Sequence, residues 1–172
     1  VAHSIELLFD EATEAAVRRD WTALAQAGLP SQDHHRSPTN RAHVTLAVSN
    51  RIDPAVDALL AEPAARLPLP CRIGAAMVFG RTTLTLVRLI VPSAALLELH
   101  GQVTAVSAPH QTPGPFGHSL PGQWTPHVTL ARRLSPRDLA AALDVITADD
   151  LDGAFDRLRR WDGDARVDTL IG

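Results

Sequence analysis

The chain has 172 residues, 45% of them hydrophobic, 20% charged and 4% aromatic, with a formal net charge of −3. These values suit one globular domain with a sizeable core and exclude disorder, collagen-like repeats and a coat of nonspecific nucleic-acid contacts. All 16 basic residues are arginine and tyrosine is absent, which excludes a P-loop lysine, a Schiff base, a lysyl-nucleotide intermediate and a tyrosyl nucleophile.

Residues 3–9 alternate, with Ile5, Leu7 and Phe9 on one side, and predict a strand. Asp10 is placed to cap a helix with Val17, Trp21, Leu24 and Gly28 on one face. Residues 29–41 hold turn formers such as Pro30, Pro38 and Asn40, and residues 41–49 predict a strand. Asp53-Pro54 starts a helix carrying Val56, Leu59 and Leu60. Residues 72–79 and 82–91 predict a hairpin around Gly80-Arg81. Ser93 caps a helix with Leu96, Leu99, His100 and Val103 spaced along it.

Residues 107–125 form a segment rich in Pro and Gly, too long for an idle turn and expected to be functional or mobile. A strand is predicted over 126–134, and Ser135-Pro136 starts a helix with Leu139 and Leu143. Final strands are predicted around 153–161 and 165–171. No apolar run approaches the ~20 residues of a spanning helix. Residues 1–10 lack the layout of a signal peptide, so a cytoplasmic location is expected. The single cysteine, Cys71, permits no internal disulfide and reads as a structural thiol.

The tetrapeptide His-Val-Thr-Leu occurs twice, at residues 43–46 and 127–130. Each copy lies in a predicted strand and precedes a capped helix start, Asp53-Pro54 or Ser135-Pro136, which suggests two lobes related by internal duplication. Residues i and i+2 of a strand share a face, so His43 joins Thr45 and His127 joins Thr129. A pseudo-twofold axis would bring these faces together across a cleft. One neutral and one protonated imidazole can then activate an attacking oxygen and protonate a leaving oxygen, while the hydroxyls bind phosphate oxygens. The plainer alternative is a structural repeat with two satisfied buried histidines.

With these paired motifs the chain resembles the two-histidine phosphoesterase superfamily, and within it the 2'-5' RNA ligase-like proteins, or RNA 2',3'-cyclic phosphodiesterases. The resemblance covers most of the chain. It implies an α+β fold of residues 1–172 as one domain of two intertwined lobes, with two antiparallel sheets facing across a cleft and helices outside. It implies metal-free chemistry without a cofactor. It makes His43 the proton donor, His127 the proton acceptor, and Thr45 and Thr129 the phosphate ligands. Arg132 matches an arginine that follows the second motif and binds substrate phosphate. A strict strand would put Arg132 opposite His127, so that role needs a bulge. The first motif also lacks the proline that often precedes its histidine, while the second has Pro126.

The expected substrates are RNA 3' ends or small nucleotides bearing a 2',3'-cyclic phosphate, opened to a 2'-phosphate, with reversible 2'-5' ligation. The alternatives are 2'-5' oligoadenylates, an ADP-ribose cyclic phosphate, and a non-catalytic RNA-end binding module. A monomer is expected. Trp124, three residues before His127, is a candidate to stack on a base, against a plainer role covering the core. Phe79 and Arg81 are candidates to reach a base and a phosphate, against the reading of Arg81 as a surface residue. His118 in the long segment is read chiefly as a solvated bystander, and His3 and His100 as packing or surface residues. His34-His35 has no acid or thiol cluster to complete a metal site. Arg157, Arg159 and Arg160, interleaved with aspartates, read as a solvated, paired face.

Overall fold

The computed structural model describes all residues, Val1–Gly172. Strand β1 (His3–Phe9) leads through the Asp10 cap, which accepts the Thr13 N–H, into helix α1 (Glu11–Gln26). Strand β2 (His43–Ser49) and the short β3 (Arg51–Ile52) follow. The helix started by Asp53-Pro54 is two short pieces, α2 (Val56–Leu59) and α3 (Ala61–Ala64). Strands β4 (Leu69–Phe79) and β5 (Leu84–Ile90) form the expected hairpin, and Ser93 caps α4 (Ala94–Ser107). The short β6 (Gln111–Thr112), β7 (His127–Leu134), α5 (Leu139–Val145), β8 (Leu151–Asp162) and β9 (Val167–Ile171) complete the chain.

The main sheet runs β2-β1-β8-β4-β5-β7, with every pairing antiparallel and β9 added to β8. The order is a palindrome of the duplication: β2 answers β7, β1 answers β5 and β8 answers β4. Strand β8 from the second half completes the sheet of β1 and β2, and β4 from the first half joins β5 and β7. The two antiparallel sheets are continuous through β8, whose residues 155–161 pair β1 and whose residues 151–155 pair β4. A separate two-stranded ribbon joins β3 to β6.

The helices cover one face of the sheet and cross between halves. From α1, Trp21 donates its indole N–H to the Thr129 carbonyl at 3.1 Å. From α4, the His100 imidazole donates to the Leu46 and Ser119 carbonyls at 3.1 and 2.8 Å. The core beneath holds Val17, Trp21, Leu24, Val44, Leu46, Leu99, Val103, Val128 and Leu130, all buried. Leu59 and Leu143 are 47% and 44% exposed, because short helices bury only one turn each.

The segment between α4 and β7 is a strap tied down along its length. The Phe116 N–H donates to the Val48 carbonyl, and the Ser49 hydroxyl donates to the Thr112 and Gly114 carbonyls. These bonds satisfy polar backbone groups that a long loop would otherwise leave to water.

Candidate active site

Both His-x-Thr faces lie on the end strands of the sheet, and β2 and β7 approach one another. His43 and His127 are half-buried, as are Thr45 and Thr129. Each imidazole is oriented in the same way. His43 Nδ1–H donates to the Arg41 carbonyl at 2.8 Å, and His127 Nδ1–H donates to the Thr125 carbonyl at 2.7 Å. The carbonyl can only accept, so it sets the tautomer and leaves Nε2 for chemistry. Arg41 is itself anchored to Glu14 of α1 at 2.7 Å.

The threonines are matched too. The Thr45 carbonyl accepts the Trp124 indole N–H at 2.9 Å, as the Thr129 carbonyl accepts that of Trp21. Both strands bulge at the same place. Glu6 pairs Thr45 and Ile5 pairs Ala47, so Leu46 is extra; Val87 pairs Thr129 and Leu86 pairs Ala131, so Leu130 is extra. The bulge turns two successive residues inward, Leu46-Ala47 and Leu130-Ala131. It also returns Arg132 to the face of His127, which supplies the bulge its role requires. The equivalent position on β2 is Val48.

Arg132, His43 and Thr45 line one cavity of about 640 Å³, with Glu6, Arg159 and Arg166. A second cavity of about 580 Å³ adjoins it, sharing Gln32, His35 and Arg132 and lined also by His34 and Arg133. Glu6 is the one acid in either lining. The pair of cavities is therefore a polar, cation-rich recess on the His43 side.

Electrostatically the two imidazoles differ. Burial lowers the pKa of His127 below the ordinary imidazole value; its bond to Thr125 opposes this, and the nearby Arg132, His43 and His118 add to it. Its surroundings therefore favour the neutral form of His127. Beside His43, the Glu6 carboxylate lies 3.6 Å from Nε2. Burial pushes the Glu6 pKa up, but His43, Arg159 and Ser4 outweigh it and bring it below the usual carboxylate value.

Phe79 meets His127 edge-on, with ring centroids 4.9 Å apart, so it lies at the site. Trp124 is a correction to the base-stacking expectation. Its ring is stacked on His100 at 3.8 Å and its N–H is committed to Thr45, so it supports the strand instead of facing the cleft. Arg81 lies past Gly80 in the exposed hairpin turn and lines neither cavity. Arg159 and Arg160 correct the reading of a solvated basic face. They are 3% and 6% exposed, paired with Glu6 and Asp57. The alternation of β8 turned Arg159 into the cleft, which the charge pattern alone did not reveal. Glu6 was missed for a similar reason: the signal was a carboxylate inside an otherwise apolar strand.

Two further groups are inert. Burial, with Asp10 and Asp152 nearby, pushes the Cys71 thiol up to about 12, which agrees with a structural thiol. His3, Asp162 and Asp164 have metal-ligand chemistry and lie together. However, His3 Nδ1 accepts the Ile52 N–H, so its Nε2 carries the proton shared with Asp164 at 3.0 Å and has no lone pair to offer a metal.

Fold and site together define a two-histidine phosphoesterase. The sequence matches the 2'-5' RNA ligase superfamily over residues 12–166, and the chain belongs to that family. Its fold is similar to Escherichia coli LigT, crystallised with 3'-AMP, at 17% identity and TM-score 0.60, covering 99% of this chain and 94% of that one. It is similar to Thermus thermophilus TT0787 at 16% identity and TM-score 0.58, covering 100% and 96%. Kluyveromyces marxianus Usb1, crystallised with uridine monophosphate, gives 11% identity and TM-score 0.55, covering 99% and 97%. No curated protein matches the chain significantly by sequence. No helix is long and apolar enough to cross a membrane.

Proposed function

We propose that the protein opens 2',3'-cyclic phosphates at RNA or nucleotide ends to 2'-phosphates. The observation that carries this reading is the matched pair of imidazoles, each with Nδ1–H tied to a carbonyl and Nε2 left for proton transfer. Water attacks phosphorus and gives its proton to His127 Nε2. The bond from phosphorus to the ribose 3'-oxygen breaks, and His43 Nε2 protonates the departing oxygen. Thr45, Thr129 and Arg132 hold the non-bridging oxygens, whose charge grows as the fifth bond forms. Each proton transfer contributes roughly 10²–10⁴-fold. With a 5'-hydroxyl in place of water the same displacement joins it to the cyclic phosphate: His127 takes the hydroxyl proton, the 3'-oxygen leaves with the proton from His43, and a 2'-5' bond remains.

A second reading keeps the chemistry and lengthens the substrate. Two adjoining cavities that meet at Arg132 have room for more than one nucleotide, which favours an oligonucleotide, either an RNA end or a 2'-5' linked chain. The test is hydrolysis in EDTA of 2',3'-cyclic AMP, of a short RNA ending in a cyclic phosphate, and of a 2'-5' diadenylate. The double variant His43→Ala/His127→Ala is the control. Formation of the 2'-phosphate by the wild type and not by the variant is expected. RNA binding by the wild type that survives His43→Ala, with no turnover on any substrate, would make it a binding module.

A further inference from the structure

The duplication makes a nearly symmetric site, and a symmetric site cannot choose which histidine gives a proton and which takes one. Tautomer, bulge, threonine and tryptophan all match between the halves. Besides Arg132, which is answered by Val48, a difference lies on the neighbouring strand. Opposite Thr45 on β1 stands Glu6; opposite Thr129 on β5 stands Val87. Both side chains face the cleft, and both residues are buried, at 4% and 0% exposure. A carboxylate in one half has thus become a valine in the other.

An isolated buried carboxylate is costly, and this one is heavily supported. Ser4 Oγ–H donates to its Oε1 at 2.6 Å, and Arg159 Nε–H donates to its Oε2 at 2.6 Å. Arg159 does not belong to Glu6 alone. From β9, Asp168 takes its Nη1 at 3.2 Å, and the Thr39 carbonyl takes the same nitrogen at 2.8 Å. Two carboxylates therefore share one guanidinium, and Glu6 is the one acid in the lining around His43, where Arg132, Arg166 and His35 also stand. Around His127 the charged and titratable neighbours are Arg132, His43 and His118, with no acid among them.

We infer that Glu6 is a positioning residue that keeps the exchangeable proton on His43, so that the Glu6–Arg159–Asp168 chain, and not the histidine pair itself, makes His43 the acid and His127 the base. The inference rests on the proposed two-imidazole reaction for its consequence, but its physical content can be read without turnover. Glu6 touches no reacting atom. It acts through His43 Nε2 at 3.6 Å, close enough for a Coulombic preference and longer than a hydrogen bond. The proton therefore stays available for a substrate oxygen.

The test is an NMR titration of imidazole signals in the full chain, assigned with His43→Ala and His127→Ala. In Glu6→Gln, the His43 midpoint moves to lower pH by about one unit, since an opposite charge at this range is worth about 1–3 units, while His127 stays in place. In kcat/KM the alkaline limb moves with it and the acid limb does not, a split that a merely structural defect would not produce. Glu6→Asp restores part of the shift. Should Glu6→Gln fail to fold, Asp168→Asn at the rim gives the same direction with smaller size, because Arg159 then neutralises Glu6 fully. A His43 midpoint unmoved in whichever variant folds, or equal movement of both imidazoles, would overturn the inference. Absence of hydrolysis by the wild type would instead overturn the proposed reaction and leave the titration to decide the role of Glu6.

Discussion

Leu46 and Leu130 are the same bulge, one in each half of the molecule. Each is skipped in pairing with the neighbouring strand, and each lies one residue past a threonine whose carbonyl takes a tryptophan N–H. The bulge shifts the face of everything after it. Position 48 and position 132 therefore look into the cleft alongside the histidines, and only the second is an arginine.

Arg132→Met is expected to lower kcat/KM by about 10–100-fold, the value of a charge-assisted hydrogen bond of ~1.5–3 kcal/mol to phosphate. The residue is exposed, so the melting temperature should hardly change. Steady-state kinetics with thermal unfolding checks both. A loss of stability comparable to the loss of rate would assign Arg132 to the fold.

The pH dependence follows from His127. Burial and the nearby positive charges lower its pKa, so it remains an unprotonated base below the ordinary imidazole value of about 6.5. The acid limb of kcat/KM is therefore expected below that pH. In Arg132→Met one of the charges opposing protonation is gone, so the limb moves to higher pH. A pH–rate profile of the two proteins measures this, and a limb moving the other way would contradict the assignment of His127 as base.

Trp124→Phe separates support from recognition. Phenylalanine keeps a ring against His100 but loses the N–H to the Thr45 carbonyl, a loss of about 1–3 kcal/mol for a carbonyl left unsatisfied. Reduced stability is expected, with no change in preference among cyclic mononucleotides of different base. Base preference that changes with this substitution would return Trp124 to the substrate pocket.

Gly153 on β8 lies where α1 crosses. A Cβ there would overlap the Thr13 side chain, whose hydroxyl already accepts the Ala154 N–H at 3.1 Å. Gly153→Ala is expected to destabilise the fold by about 1–3 kcal/mol, the usual cost of overpacking. Denaturant unfolding measures it, and an unchanged midpoint would mean that α1 shifts away freely.

Much was legible in the residues themselves. Strand alternation placed His43 with Thr45 and His127 with Thr129. Asp10, Ser93 and Ser135 announced their helices by short-range capping, and the repeated tetrapeptide announced the duplication. These signals survive because they depend on neighbours within a few positions. The tertiary structure alone decided the rest. Trp124 was placed on His100 by packing between segments 24 residues apart in sequence. Arg159 and Arg160 became buried because β8 runs through the middle of the sheet, where a charge must find a partner on another strand. Arg132 reached the cleft through a register shift that no local pattern records. Glu6 met His43 only when β1 paired β2. The sequence by itself determined which imidazoles and hydroxyls share a face, since identity and face are local properties. Which of them holds the proton depends on electric fields from strands far apart in the chain, and those exist only once the sheet has formed.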